Sequence, residues 1–539
     1  MDRWKVIETE LNPDRLHEKE TVFNLGNGYL GTRGTFEEGY PGDLPATLVH
    51  GLFDDTPVFY SELVNAPNWL DLAIYVNGQR FRMDRGQILA YRRELDLSNA
   101  TLTRRLRWQS PHGETLEIQF ERFASLANEH ILAVRCQVQA LDFSGTLEIR
   151  AGIAGHVSNL GLVHWDWIDQ GSLDAQTNFL HLQTKGTQIP LVEAAHLKVL
   201  GGNFTYDSWD SPWHPTVVAS GQVNPGDTIS AEKLVAIYTG RDGVEPQQAA
   251  IETVRQASQR GYAALLADQQ EAWAQEWEAC NITIEGDDRA DHALRYNLFN
   301  LLIAAPRHDD RVSIPAKSLS GFGYRGHVFW DTEIFILPFF TYTRPEIARN
   351  LLMYRYHTLT GARDKARSSG YEGAMYAWES AGTGHETTPR WLPLPDSADL
   401  VRIWCGDIEH HITADVAFAV YQCGRVPGDD DFMRNYGAEI LLDTACFWGS
   451  RAEWNAERGQ FEINDVIGPD EFHDHVDNNA YTNAMARWNL QAALETLNWL
   501  ERQAPEQARL LKEKLDLTPE RLDHWRDVID RLYLGYDPA

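Results

Sequence analysis

The residues of this chain best suited to proton chemistry lie between Ile463 and Asn483. There Ile463-Asn464-Asp465-Val466-Ile467-Gly468-Pro469-Asp470-Glu471-Phe472-His473 is followed by Val476-Asp477-Asn478-Asn479-Ala480-Tyr481-Thr482-Asn483. Acidic, amide and aromatic groups are gathered on one loop that opens a helix. A single carboxylate is more often a helix cap or a solvated surface group than a catalyst, and Asp477 or Asn478 is expected to cap this helix. Glu471 differs because it follows a rigid Gly-Pro turn and adjoins Phe472, and apolar crowding lifts a carboxyl toward neutrality. An acid so placed can give a proton to a leaving oxygen.

Two further clusters carry the chemistry of sugar binding. One is His327-Val328-Phe329-Trp330-Asp331-Thr332-Glu333; the other is Tyr376-Ala377-Trp378-Glu379-Ser380, with Glu386 nearby. An aromatic face covers the C–H face of a pyranose, and adjacent carboxylates accept its hydroxyl hydrogens. One such pair would suit a core tryptophan beside a surface acid. Two pairs plus Glu471, in separate loops of one helical region, read as a glycosyl pocket lined by Trp330, Asp331, Trp378 and Glu379. Other motifs are blander. Gly26-Asn27-Gly28-Tyr29-Leu30-Gly31 matches GxGxxG, but the Gly- and β-rich Thr32-Arg33-Gly34-Thr35-Phe36 cannot open a dinucleotide-binding helix, so a turn between strands is expected. His410-His411 and His473-Asp474-His475 lack metal-ligand spacing and read as hydrogen-bonding residues of a polar cleft. No metal and no organic cofactor are expected.

The elements that must position these groups change character along the chain. Residues 1–243 alternate apolar and polar positions in short runs broken by Gly, Pro and Asn, the pattern of an antiparallel β-sandwich. Leu72 to Val76 runs into Asn77-Gly78, a tight-hairpin dipeptide, and Gln79 to Met83 is expected to return beside it. Residues 244–286 read as a helical linker in which Trp273 and Trp277 share a face. Residues 287–539 read as a helical catalytic domain, with stripes at Leu294–Leu302, at Ile347, Leu351 and Tyr354 after a Thr343–Pro345 start, at Ile408 to Cys423, and at Leu490 to Leu497. Its loops at 306–330, 370–406 and 456–478 hold the candidate chemistry.

Composition excludes several functions. Forty-eight Lys and Arg against 78 Asp and Glu leave a net charge of −30, which repels phosphate backbones and anionic bilayers. Neither nucleic acid nor a membrane is expected as a partner. Five scattered cysteines without a CxxC pair suit a reducing cytoplasm. Met1-Asp2-Arg3-Trp4 does not read as the start of an export signal.

With these motifs in order, from Glu20-Thr21-Val22-Phe23-Asn24-Leu25-Gly26 through Gly326 to Glu333, Met375 to Ser380 and Gly468 to His473, the chain resembles glycoside hydrolase family 65. That family comprises maltose, trehalose, kojibiose and nigerose phosphorylases with a few hydrolases. The resemblance implies an N-terminal β-sandwich, a helical linker and an (α/α)6 barrel. It implies Glu471 as general acid and Asp331, Trp378 and Glu379 around the non-reducing glucosyl unit, with Trp330 sharing the Trp-Asp motif. Inorganic phosphate would be co-substrate to a disaccharide, attacking with inversion to give β-glucose 1-phosphate, and a homodimer would be expected. A hydrolase of the same fold and a non-catalytic glycan-binding protein remain alternatives. Such a barrel has twelve helices; roughly eight helical segments follow residue 288 before Tyr536-Asp537-Pro538-Ala539. The barrel is therefore expected to be truncated here, with the phosphate-binding residues and any hydrolytic base beyond residue 539. Family members often carry Gly where this chain has Ser318 and Asp where it has Gly382.

Overall fold

The computed structural model describes residues 3–57, 60–393 and 399–535. Met1, Asp2 and Tyr536 to Ala539, which entered the reading of the termini, lie outside the described residues. The chain divides into two compact units. The first comprises Met1–Asp54, Leu63–Ala305 and Lys317–Gly323; the second comprises Asp55–Glu62, Pro306–Ala316 and Tyr324–Ala539.

The first unit is an antiparallel β-sandwich. A nine-stranded sheet runs in the spatial order Lys5–Glu8, Gln87–Asp96, Thr101–Gln109, Thr115–Ala124, Ile131–Ala140, Thr228–Thr239, Pro190–Leu200, Thr177–Thr184, Trp165–Asp174. A five-stranded sheet has the order Phe204–Ser211, His214–Val223, Gly145–Gly152, Leu72–Val76, Gln79–Arg80. Alternate side chains of both sheets meet in one core, with Ile118, Phe120 and Val138 from one and Ile74, Ile149 and Val217 from the other. The Asn77-Gly78 turn has φ of 49° and 79°, the left-handed pair that a two-residue hairpin requires. Its return strand is Gln79–Arg80, shorter than the sequence suggests, because the chain turns inward to bury Phe81 and Met83.

The strand Ile131–Ala140 opens with four consecutive buried residues, so it needs cover on both faces. The second cover is supplied by Pro246–Arg260 and Tyr262–Cys280, two helices joined at Gly261 with φ 77°. Their Ala250, Val254, Ala257, Tyr262 and Leu265 pack on Ile131, Ala133, Val192, Leu234 and Ala236. The segment read as a linker thus forms part of the sandwich unit, and helix Asp288–Ala304 clusters with that unit too. The GxGxxG segment is a turn between strands Leu25–Gly26 and Leu30–Thr32, with Gly28 at φ 85°. A Cβ on Gly31 would lie 2.4 Å from Leu319 Cβ, so close packing fixes that glycine. Just beyond it, buried Glu37 accepts from Arg104 at 2.8 Å and from Arg122 at 2.8 Å. These three charged residues therefore serve the core of this unit. Ser318 sits at φ 52°, a backbone that glycine adopts without strain.

The second unit is helical. Its principal helices are Leu337–Thr343, Pro345–His357, Leu359–Ser368, Ile412–Arg425, Ala438–Arg451, Ala480–Gln503, Pro505–Lys514 and Pro519–Arg531. Phe447, Trp448, Leu490, Leu497 and Trp525 anchor its core. Three local expectations are corrected. The stripe from Ile408 to Cys423 is not one helix: Cys405–Ile408 ends at Glu409, whose φ and ψ are −91° and 84°, and Ile412–Arg425 restarts after it. Helix Pro345–His357 is capped by Arg344, while the Thr343 hydroxyl donates back to Phe339 O. Helix Ala480–Gln503 is capped by Asn479, which accepts from Thr482 N at 3.1 Å; Asp477 instead accepts from Asp465 N, and Asn478 from Ile463 N. Among the described residues no helix is long and apolar enough to cross a membrane.

Candidate active site

The two tryptophan segments lie side by side because Val328 and Ser380 exchange backbone hydrogen bonds of 2.9 and 3.0 Å. This places the rings of Trp330 and Trp378 with centroids 6.5 Å apart. Tyr324, Arg325 and Gly326, all at positive φ, turn the chain sharply into His327. Directly after Asp331 the backbone forms a π-turn, Thr332–Ile336, widened where Pro338 has no N–H to return to Ile334. Asp331 is half-buried at the start of that turn.

Beneath the pair lies Arg355, which is fully buried. Its guanidinium grips both oxygens of Glu333 at 2.7 and 2.8 Å, Phe329 O at 3.0 Å and Ser380 Oγ at 3.2 Å. One side chain thus holds both segments in register. Glu386, read from sequence beside the sugar-binding pair, is committed to the backbone instead. It accepts from Trp378 N at 2.9 Å, Glu379 N at 3.2 Å and Thr388 Oγ1 at 2.7 Å, and pairs with Lys365 Nζ at 2.6 Å. Burial pushes its carboxyl up, but Lys365 and these donors outweigh burial and hold it below the usual range.

Glu379 is paired from the other side. His327 Nε2 faces Ser61 O at 2.8 Å and must donate there; its Nδ1 faces Glu379 Oε2 at 2.7 Å. Burial lifts the Glu379 carboxyl. The His327 ring, anchored on Ser61 O, thereby fixes the position of the Glu379 carboxyl.

His411 completes the aromatic wall. Its ring centroid is 4.7 Å from Trp330, 5.5 Å from Trp378 and 5.3 Å from Tyr481, all edge to face. Its Nδ1 meets Asp415 Oδ2 at 2.6 Å and its Nε2 meets Glu409 Oε1 at 3.2 Å. Burial disfavours its charge, yet the two carboxylates prevail and raise it to about 9, so the ring is an imidazolium donating on both sides. The neighbouring His410 goes the other way, pushed down by burial and by Arg451. Tyr481 donates to Asp415 Oδ1 at 2.8 Å.

Glu471 lies on the loop before helix Ala480–Gln503 and is exposed. Phe472 is 98% exposed, so it does not crowd Glu471 as the sequence suggests. The thiol of Cys405 lies 3.7 Å from Glu471 Oε2, and the Cys405 sulfur and one carboxylate oxygen each of Glu409 and Glu471 all fall within 4.8 Å of one another. The acid expected to stand against an apolar face thus stands against a second acid. His473 and His475 pair with Asp470 and Asp465 of their own loop at 2.9 and 2.5 Å.

Trp330, Trp378 and Glu379 are therefore brought together directly, with Asp331 adjacent in the chain, and Glu471 joins them through Glu409 and His411. Glu409, Asp415, Tyr481 and Arg355 were not singled out from sequence. The i,i+4 spacing of His411 and Asp415 was a usable signal, whereas Glu409 reaches Glu471 only because the helix breaks there.

Two family profiles cover nearly the whole chain: the glycosyl hydrolase family 65 N-terminal domain over residues 6–276 and the family 65 central catalytic domain over residues 295–539. A kojibiose phosphorylase of Halothermothrix orenii is 40% identical over 99% of this chain and 70% of its own length. An α,α-trehalose phosphorylase of Thermoanaerobacter brockii is 32% identical over 99% of this chain and 71% of its own. A nigerose phosphorylase of Lachnoclostridium phytofermentans is 31% identical over 98% and 73%. A solved structure of a candidate kojibiose phosphorylase from the human microbiome superposes with a TM-score of 0.88 at 23% identity, covering 100% of this chain and 71% of that one, and so shares the fold.

Proposed function

The chain belongs to glycosyl hydrolase family 65, and from that premise we propose that it is an inverting α-glucoside phosphorylase, cleaving a glucose disaccharide of the kojibiose, trehalose, nigerose or maltose type with phosphate. The products are β-glucose 1-phosphate and glucose. The observation that carries the reading is the grouping of Trp330, Trp378 and Glu379 with a Glu471 that joins them through Glu409 and His411.

In this reading the two indole faces hold the glucosyl ring, while Asp331 and the His327-bound Glu379 accept hydrogen bonds from its hydroxyls. Glu471 gives its proton to the glycosidic oxygen as the C1–O bond breaks, and a phosphate oxygen bonds to C1 from the opposite face. Phosphate is already anionic near neutral pH, so one protein acid suffices. An inverting hydrolase needs a second carboxyl about 6.5–9.5 Å away across the sugar. Glu409, within 4.8 Å of Glu471 and tied to His411, is too close to Glu471 for that base. Five free, buried cysteines support a reducing cytoplasm as the working compartment. A homodimer is the proposed assembly, read by sedimentation.

The test is incubation of the chain with kojibiose, trehalose, nigerose and maltose separately, with and without phosphate, assaying glucose and glucose 1-phosphate. Phosphate-dependent glucose 1-phosphate from one sugar is expected. Equal glucose release without phosphate would make the enzyme a hydrolase, and binding without turnover a glycan-binding protein.

A further inference from the structure

We propose that the outer face of the nine-stranded sheet carries a binding site for a phosphorylated monosaccharide, with Arg105 holding the phosphate and Gln119, Gln137 and Gln139 meeting the sugar hydroxyls. The site is made entirely of residues of the first unit.

That face has two parts. Where helices Pro246–Arg260 and Tyr262–Cys280 cover it, it is apolar, with Phe123, Ile131 and Ala133 buried. Tyr262 marks the border: its hydroxyl donates to Glu121 Oε1 at 3.1 Å, and Arg135, paired with Glu121 at 2.6 Å, lies over its ring at 4.6 Å. Beyond this border the same strands turn polar and half-buried or exposed. The register sets Arg92 directly opposite Arg105, Arg105 opposite Gln119, and Gln119 opposite Gln137. The next row brings Arg107, Glu117, Gln139 and Thr228 into line. The two rows line an open trough of about 440 Å³.

Two arginines directly opposite one another repel, and elsewhere this sheet compensates such a pair. One residue along, on the buried face, Arg93 stands opposite Arg104, and Arg104 is met by Glu37 and Glu38, each at 2.8 Å. On the outer face Arg92 takes Glu94 at 2.7 Å and Arg107 takes Glu117 at 3.0 Å. Arg105 has no carboxylate partner among the described residues; its Nε donates to the Gln119 amide at 2.9 Å, and its Nη groups make no further hydrogen bond there. An exposed guanidinium held beside a second one without a counter-charge fits an oxyanion, which its Nη groups can grip in bidentate fashion. Glutamine amides both donate and accept, as sugar hydroxyls require. Neighbouring strands lie about 4.8 Å apart, so Arg105 and Gln137, two strands apart, span about 10 Å, room for a phosphate and one pyranose. A polyanion is disfavoured because the net charge of −30 repels extended negative charge, whereas a single phosphate is matched by Arg105 with Arg92 and Arg107 on either side.

The experiment is titration calorimetry of the full chain with glucose 6-phosphate, β-glucose 1-phosphate, inorganic phosphate and glucose, for wild type, Arg105→Gln, Arg105→Lys and Gln137→Ala. Dependence on Arg105 separates this site from binding around the tryptophans. Saturable binding of at least one sugar phosphate is expected, with a Kd below about 1 mM. Arg105→Gln should weaken it by about tenfold or more, since charge-assisted hydrogen bonds are lost, and Arg105→Lys should weaken it less. Gln137→Ala should weaken the sugar phosphate and leave inorganic phosphate unchanged. The rise in Tm that the sugar phosphate gives wild type should be lost in Arg105→Gln. Free of ligand, Arg105→Gln should melt no lower than wild type, because it relieves the opposition to Arg92. The proposal is overturned if neither sugar phosphate binds, if Arg105→Gln binds both as wild type does, or if inorganic phosphate binds as tightly as either. A ligand-free Arg105→Gln chain that melts well below wild type would make Arg105 a structural group of the sheet and would overturn it too.

Discussion

Replacing Glu333 by Gln should be among the most damaging single changes in the helical unit. Glu333 and Arg355 form a bidentate pair at 2.7 and 2.8 Å, with side chains 1% and 0% exposed. Removing one charge leaves the guanidinium buried and underpaired, at a cost of about 3–5 kcal/mol. For a unit of this size each kcal/mol moves Tm by about 2–4 °C, so the helical unit should melt roughly 6–20 °C lower. Scanning calorimetry reads the change as a lower transition temperature. The same guanidinium holds Phe329 O and Ser380 Oγ, so kcat/KM should fall at temperatures where the variant is still folded. Arg509→Ala is the control: its partner Glu506 is exposed, and no measurable shift is expected. A Glu333→Gln transition within about 2 °C of wild type would refute the claim that this pair carries the site.

Other outcomes follow from neighbouring groups. His411, raised to about 9 against about 6.5 unfolded, contributes stability that is complete below pH 6.5 and lost as pH rises through 9; the contribution is about 3 kcal/mol. The wild-type Tm should therefore fall across that window, and fall less in His411→Gln. Glu386, held low by Lys365, behaves oppositely, so its contribution should be lost as pH drops through its depressed value, and Glu386→Gln should flatten the acid limb of the Tm profile. Gly384→Ala should destabilise the loop behind Glu386, since Gly384 sits at φ 74° and its new Cβ would lie 2.4 Å from Thr358 Cβ; limited proteolysis of that loop reads it. On the roles proposed for Glu379 and Glu471, Glu379→Gln should raise KM for the disaccharide more than it lowers kcat, since it alters an acceptor for the glucosyl hydroxyls and leaves the proton donor in place.

Much of the fold could be read from local pattern. The period-two alternation from Leu116 to Phe120 fixes which face of that strand is buried, and Asn77-Gly78 can take positive φ twice, so these elements form where the pattern puts them. The linker helices were legible as helices, but their role as cover for Ile131–Ala140 depends on long-range packing that no window contains. At the site, the Trp-Asp and Trp-Glu pairs announce themselves by residue type. Arg355 does not, because a buried arginine in Pro345–His357 looks like any surface-helix arginine until its partner 22 residues away is known. Phe472 misled for the same reason, since adjacency in sequence says nothing about which way a side chain faces, and this one faces solvent.

The charge arrangement also answers how an acidic chain could admit phosphate. A net charge of −30 ought to repel an anion from any cleft lined with glutamates. Yet four of the acids around the tryptophans have a close basic partner: Glu333 has Arg355, Glu386 has Lys365, Glu379 has His327, and Asp415 has the His411 imidazolium. Among the described residues the Cys405 thiol and the Glu409 carboxyl lie beside Glu471. An acid paired with a cation would be stabilised as a carboxylate and would make a poor donor. Pairing Glu333, Glu386, Glu379 and Asp415 in this way lowers the negative charge that an entering phosphate would meet, while Glu471, read as the proton donor, is set beside a thiol and a carboxyl.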